Sequence, residues 1–187
     1  MRHEPPPSLG ADLRALRRAR GLTLQGLADG LGRSVGWVSQ VERDLSQPAL
    51  SDLRAMADLL GVPLSVLFGS ARAPVAEEGH IVRAHARRSL GSRAAGLVEE
   101  LLSPDLTDDF EVVHSTFAPG ARFDHPQGRP TQELGIMISG HLDLTIGARA
   151  FSVGPGDSFR IRATPFGWHN PHDTPAAAIW VIAPPVY

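Results

Sequence analysis

Three side chains in the second half of the chain, His125, Glu133 and His169, have the composition of a two-histidine, one-carboxylate metal site. Such a set leaves coordination positions open for iron chemistry on a substrate. Together with Gln127, Arg129, Met137, Phe159, Phe166 and Trp168, the residues His125 and Glu133 can also be read as the lining of an apolar cavity in which a few polar groups orient a small molecule. Glu133 favours a cation there and Arg129 an anion, so the spacing leaves the ligand's charge open. The first half carries a different chemistry. On a helix running from Ser34 to about Arg43, Val35, Val38 and Val41 fall on one face, and Gly36, Trp37, Gln40 and Arg43 face out. Gln40 is suited to an adenine edge, Trp37 to a thymine methyl or the sugar-phosphate backbone, and Arg43 to a phosphate. Arg33 and the amides that open the helix add further phosphate donors. Glycine costs roughly 1 kcal/mol of helix propensity relative to alanine, and close approach to a DNA major groove gives Gly36 a reason to be there. A plain helical bundle with Trp37 buried against helix 1 and a solvated Gln40 would show the same period.

The elements that must position these groups follow two periods. Residues up to 70 show apolar spacings of three and four, as in Leu9, Leu13 and Leu16, in Leu24, Leu27, Ala28 and Leu31, and in Leu53, Met56, Ala57 and Leu60. Thr23 and Ser34 stand where helix N-caps belong. Breakers at Gly21, Gly32-Arg33, Gln47-Pro48 and Gly61-Val62-Pro63 divide the segment into about five short helices. Helix 2 from Thr23 to Leu31, a two-residue turn and helix 3 have the size and order of a helix-turn-helix. Beyond Gly79 the signal turns to short β-rich runs, at 111–117, 134–139, 141–146, 151–153, 157–161 and 176–183, separated by turns such as Pro119-Gly120 and Gly154-Pro155-Gly156. The expected organisation is a tail over 1–7 without order, a DNA-binding domain over 8–70, a linker over 71–79 and a sensor domain over 80–187.

Composition narrows the class further. Of the 187 residues 42% are hydrophobic and 20% charged, enough for a core and too apolar for general disorder. The absence of cysteine excludes disulfides, thiolate metal sites and a cysteine nucleophile. The N-terminus lacks the apolar core of a signal peptide and no stretch reaches the length of a bilayer span, so a cytoplasmic protein with no membrane partner is expected. A net charge of −2 argues against a non-specific nucleic-acid coat, yet residues 1–70 carry eight arginines against seven acids and leave room for a local basic face.

The runs Leu22-Thr23-Leu24-Gln25-Gly26-Leu27-Ala28 and Ser34 to Arg43, with Ser46-Gln47-Pro48 and Leu60-Gly61-Val62-Pro63-Leu64, resemble the lambda-repressor-like (Xre-type) DNA-binding domain over about sixty residues. The resemblance implies that Gln25 meets phosphate, that Ser34, Gly36, Trp37 and Gln40 lie at the DNA, that Ser39 bonds the backbone and that Glu42 is tied up inside the fold. Gly26 departs from the family's usual polar residue. In the second half, Pro119-Gly120, Glu133 to Gly140, Gly154-Pro155-Gly156-Asp157 and Asn170 resemble the two motifs of the cupin barrel. The implied fold is multidomain α + β, a five-helix helix-turn-helix bundle followed by an antiparallel β-barrel of the cupin, double-stranded β-helix kind. The implied function is that of a transcriptional regulator, not an enzyme, which binds a double-stranded DNA operator as a homodimer and takes a small-molecule effector in the barrel. Many cupins hold a metal through two histidines and a glutamate in the first motif and a histidine in the second. Here Glu133 matches, the histidine pair is reduced to His125 with Gln127 nearby, and Phe166 takes the second-motif position. His169 has opposite strand parity from 166. The metal site reads as eroded and no cofactor is expected. A metalloenzyme of the iron oxygenase or epoxidase type, using His125, Glu133 and His169, is the alternative.

Overall fold

A computed structural model describes residues 8–68, 75–77, 79–91, 94–104, 106–125 and 127–185, with the side chains of Val75 and His125 outside the description. The tail expected over 1–7 and most of the linker expected over 71–79 therefore lie outside the described residues. The chain divides into two compact units, one of residues up to 88 with 104–107, the other of 89–103 and 108–186. No helix among the described residues is long and apolar enough to cross a membrane.

Five α-helices build the first unit: α1 Leu9–Ala19, α2 Leu24–Leu31, α3 Val35–Val41, α4 Leu50–Leu60 and α5 Leu64–Leu67. The apolar positions set three and four apart supply its core, with Leu13, Leu16, Leu27, Val38, Met56 and Leu60 each at most 1% exposed. Burying a side chain of this size contributes about 1.5–3 kcal/mol, which is what holds helices too short to persist alone. Thr23 caps α2 by accepting from the Gly26 amide, and Ser34 caps α3 by accepting from the Trp37 amide. Because Ser34 is an extended cap and α3 ends at Val41, the helix is shorter than the 34–43 expected. Gly32 ends α2 at φ 62, a left-handed geometry that glycine adopts without a Cβ penalty, and Arg33 donates its amide back to the Ala28 carbonyl.

The second unit contains β1 Arg88–Ser89, β2 Leu97–Leu101, β3 Glu111–Phe117, β4 Arg122–His125, β5 Gln132–Ser139, β6 Leu142–Ile146, β7 Arg149–Val153, β8 Ser158–Arg162, β9 Phe166–His169 and β10 Ala176–Ala183. They form a six-stranded sheet in the order β1-β2-β3-β10-β5-β8 and a four-stranded sheet in the order β4-β9-β6-β7, with β2 through β8 of the first sheet and all of the second paired antiparallel. Together they make the expected cupin barrel. Period-two burial runs the length of β3 and β10, so Val113, Ser115 and Phe117 face inward with Ala178, Trp180 and Ile182. Asn170, fully buried, ties the barrel end together. Its side-chain amide donates to the carbonyls of Phe117, Ala118 and Thr174, and its carbonyl accepts from the His172 amide.

Candidate functional site

The exposed face of α3 begins with a gap. Gly36 is exposed, and a Cβ built there would meet nothing within 4 Å. Nothing within the fold therefore demands a glycine at 36. Gln40 and Arg43 are exposed as well, the Arg43 Nε donating to the Ser39 carbonyl at 3.3 Å. Trp37 departs from the outward placement expected of it. It is half-buried, packed against the cluster of Leu27, Ala28 and Val38, with the Arg33 guanidinium 5.1 Å from its ring centre. On a seven-residue helix beside a tight turn, so large a ring reaches back over the adjoining helix and gains apolar contact there. Ser39 is half-buried and Ser34 is spent on its cap.

Two polar side chains near this face, Arg33 and Gln25, are held by acids. Arg33 donates through Nε and Nη2 to Asp52 Oδ1 at 3.2 and 2.9 Å, and Gln25 donates to Asp29 at 2.7 Å. Underneath, Arg17 and Glu42 form a buried bidentate pair, with Nε to Oε1 at 2.5 Å and Nη2 to Oε2 at 2.9 Å. The Glu42 carboxylate raises the pKa of Arg17, mainly through its hydrogen bond, and so keeps the guanidinium charged. The pair fastens the end of α3 to α1. Gly10 completes that joint, since a Cβ there would stand 2.4 Å from the Val41 carbonyl oxygen.

Inside the barrel lies a cavity of about 180 Å³. Of the residues expected to line one, the structure brings together Arg129, Glu133, Phe166 and Trp168. Arg129 donates to both carboxylate oxygens of Glu133, Nε to Oε1 at 3.0 Å and Nη2 to Oε2 at 2.8 Å, and the Thr131 hydroxyl adds a third bond at 2.8 Å. Glu133 is 1% exposed. A carboxylate buried that far is tolerated because its charge is met in full. The Arg129 guanidinium also lies over the Phe166 ring, 5.6 Å from its centre.

Three expected lining residues are not brought in. Gln127 is exposed in the segment before β5. Met137 faces inward like Glu133 but sits four residues further along β5, roughly 13 Å at the rise of a strand. Phe159 lies across Gly135, where a Cβ would be 2.2 Å from its ring, and packs edge-on against Trp180 at 5.0 Å. It therefore packs on the lining residue Trp180 without itself lining the cavity. The His125 side chain lies outside the described residues, and His169 is exposed at the end of β9 while Glu133 is buried. Among the described residues no cluster of three or more His, Cys, Asp or Glu side chains is placed to hold a metal.

Other lining residues come from β2 and β4, which the sequence runs do not include, as Leu97, Glu99 and Phe123, and from the expected strand β3, as Ser115 and Phe117. Trp180 and Ile182 close it from β10. Ser115, 1% exposed, donates to Glu99 Oε1 at 3.4 Å. Trp168 meets Phe117 edge-on at 4.7 Å and stacks on Phe123 at 6.0 Å. The inward parity of β3 and β10 would have found four of these seven.

Comparison with known proteins fits both halves. Residues 8–67 match the family described as a helix-turn-helix domain, and residues 113–182 match the cupin domain. The chain is 24% identical over 155 residues to the HTH-type transcriptional regulator PuuR of Escherichia coli, covering 81% of each protein. It is 30% identical over 97 residues to the transcriptional regulator ClgR of Mycobacterium tuberculosis, covering 51% of this chain and 87% of that one. Among solved structures, an RmlC-like cupin from Shewanella frigidimarina superposes with a TM-score of 0.50 at 18% identity, covering 57% of this chain and 91% of that chain, which bears on the fold alone.

Proposed function

This chain belongs to the helix-turn-helix transcriptional regulators whose second domain is a cupin, and on that premise we propose that it binds one operator sequence as a homodimer and changes its grip when a small molecule enters the barrel. The observation that carries the reading is the bare face of α3. The helix is capped at Ser34 and anchored at its far end through the Arg17–Glu42 pair, and it leaves Gly36 and Gln40 uncovered. A rigid helix with a bare, close-approach face suits a major groove. Arg33 and Gln25, now held by Asp52 and Asp29, would exchange those acids for phosphates. Ser39, Trp37 and Arg43 would flank the Gln40 contact.

Dimerisation is supported by the outer face of the six-stranded sheet, where Leu134, Ile136 and Ile138 stand exposed in a row along β5. Operators of such dimers have half-sites about one helical turn apart. The alternative metalloenzyme needs the Glu133 carboxylate to face a metal ion. Both its oxygens instead meet a guanidinium that already neutralises the charge, which supports a sensor over a catalyst.

The test is selection of bound duplexes from a random pool at fixed salt, followed by titration of the enriched sequence with Gln40→Ala. One enriched palindrome, with a loss of about 1–3 kcal/mol confined to it, is the expected result if Gln40 reads a base. An equal, small loss on every duplex would refute that role.

A further inference from the structure

We infer that the barrel takes an uncharged molecule built on one aromatic ring, because the charged groups facing its cavity are engaged by other groups of the protein. This inference rests on the effector-sensing reading above and supplies the ligand's class. Size sets the first bound. A cavity of about 180 Å³ is little larger than the roughly 150 Å³ apolar cavity that takes up benzene, so one ring with a short substituent fills it.

Charge comes next. The described lining carries three ionisable side chains, Arg129, Glu133 and Glu99. Arg129 gives Nε and Nη2 to the two oxygens of Glu133, and Glu133 takes a third bond from Thr131. An anion would have to pull Arg129 away and strand a carboxylate that is 1% exposed. A cation would find Glu133 already neutralised. Glu99 gives it no better footing, since that carboxylate accepts from Ser115 at 3.4 Å and has a further interaction within the protein. The ring faces that attract cations are partly taken as well. Arg129 itself lies over Phe166, and Phe123 stacks on Trp168. Either ion would thus leave its water shell for groups that already have partners, whereas a neutral molecule gives up little. The walls favour a ring over an aliphatic body. Trp168 already meets Phe117 edge-on at 4.7 Å, and another ring among these walls extends that kind of contact, which gains more than its area alone. One polar handle remains. The Ser115 hydroxyl spends its proton on Glu99 and keeps an acceptor lone pair for a single ligand O–H.

Calorimetric titration of the full chain at neutral pH with benzyl alcohol, cyclohexylmethanol, benzylamine and benzoate tests this. Benzyl alcohol is expected to bind about tenfold or more tighter than either the amine, which is then an ammonium, or benzoate. Its advantage over cyclohexylmethanol should be about two- to tenfold, the size of an added ring contact. Glu133→Gln keeps the shape of the side chain and frees the charge of Arg129, so it should raise benzoate relative to benzyl alcohol by about tenfold or more. The four titrations of the unaltered protein decide the matter by themselves if that variant does not fold. Benzoate or benzylamine binding as well as the alcohol, cyclohexylmethanol binding equally, a folded Glu133→Gln protein that still rejects benzoate, or no binding of any probe would each overturn the inference. Titrating the selected DNA duplex separates this from the regulatory reading. Benzyl alcohol binding that leaves DNA affinity unchanged supports the ligand class and defeats the sensing role. DNA binding by a protein that takes none of the probes defeats the ligand class and leaves the regulator standing.

Discussion

Replacing Gly36 by alanine should move stability and DNA binding in opposite directions. The position lies in the first turn of α3, is exposed, has no positive φ, and offers open space to a methyl group. In the free protein the substitution therefore removes a helix penalty of up to about 1 kcal/mol and introduces no clash. For a helical unit of this size that raises its melting temperature by about 4–8 °C. If α3 lies in the groove with its backbone close to the bases, the same methyl enters a packed contact. Overpacking of that kind costs about 1–3 kcal/mol, or about 5- to 150-fold in affinity. Circular dichroism melting and fluorescence anisotropy on the selected duplex, at one fixed salt concentration because phosphate contacts are salt-dependent, give the two numbers. A stabilised Gly36→Ala protein with undiminished DNA affinity would refute the placement of this face at DNA. A protein that is not stabilised would refute the claim that the fold has no use for the glycine.

Three further outcomes follow from the same contacts. Glu42→Ala leaves the buried Arg17 guanidinium without its carboxylate and should destabilise the helical unit by about 3–5 kcal/mol, read as a loss of cooperative melting at growth temperature. Arg129→Ala should cost the barrel a similar amount by stranding Glu133, whereas the double change Arg129→Met with Glu133→Leu should be near neutral; equal losses in both would show that packing, not charge compensation, dominates there. Ile136→Arg on the outer face of β5 should yield monomers in sedimentation velocity with the melting temperature kept within about 1 kcal/mol of stability; an unchanged dimer would place the interface elsewhere.

The helical half was legible because its signals are local. Thr23 and Ser34 are caps by residue type and become caps in the fold, and Gly32 is a stop signal that ends α2. What the period could not give was the fate of Trp37, since a bulky ring leans toward neighbouring apolar surface whatever face its Cα occupies. In the barrel, β3 and β10 were readable to their last residue as β-rich runs between turn residues, and their alternation is one of burial rather than of residue type. By contrast, β2 carries Glu99 and Glu100 side by side in its middle, and β4 and β9 are four residues long. Short or charge-interrupted strands give no period, so Leu97, Glu99 and Phe123 were lost to the cavity reading. Met137 shows the complementary error, since parity names a side chain's direction and says nothing of its distance along the strand. The Arg129–Glu133 pair spans only four residues, but sequence alone did not reveal that the two would cancel each other's charge.

The aromatic residues of this chain also give it a built-in optical readout. Its three tryptophans are Trp37, Trp168 and Trp180. The last two line the barrel cavity, and Trp37 sits half-buried on α3 beside Arg33. Intrinsic emission therefore reports two separate events with no label attached. Trp37→Phe leaves a protein whose tryptophan emission comes only from the cavity lining, and Trp168→Phe combined with Trp180→Phe leaves one whose tryptophan emission comes only from α3. Comparing the two signals during one rapid-mixing experiment would give the order of the two events proposed above, filling of the cavity and a change in the grip on DNA.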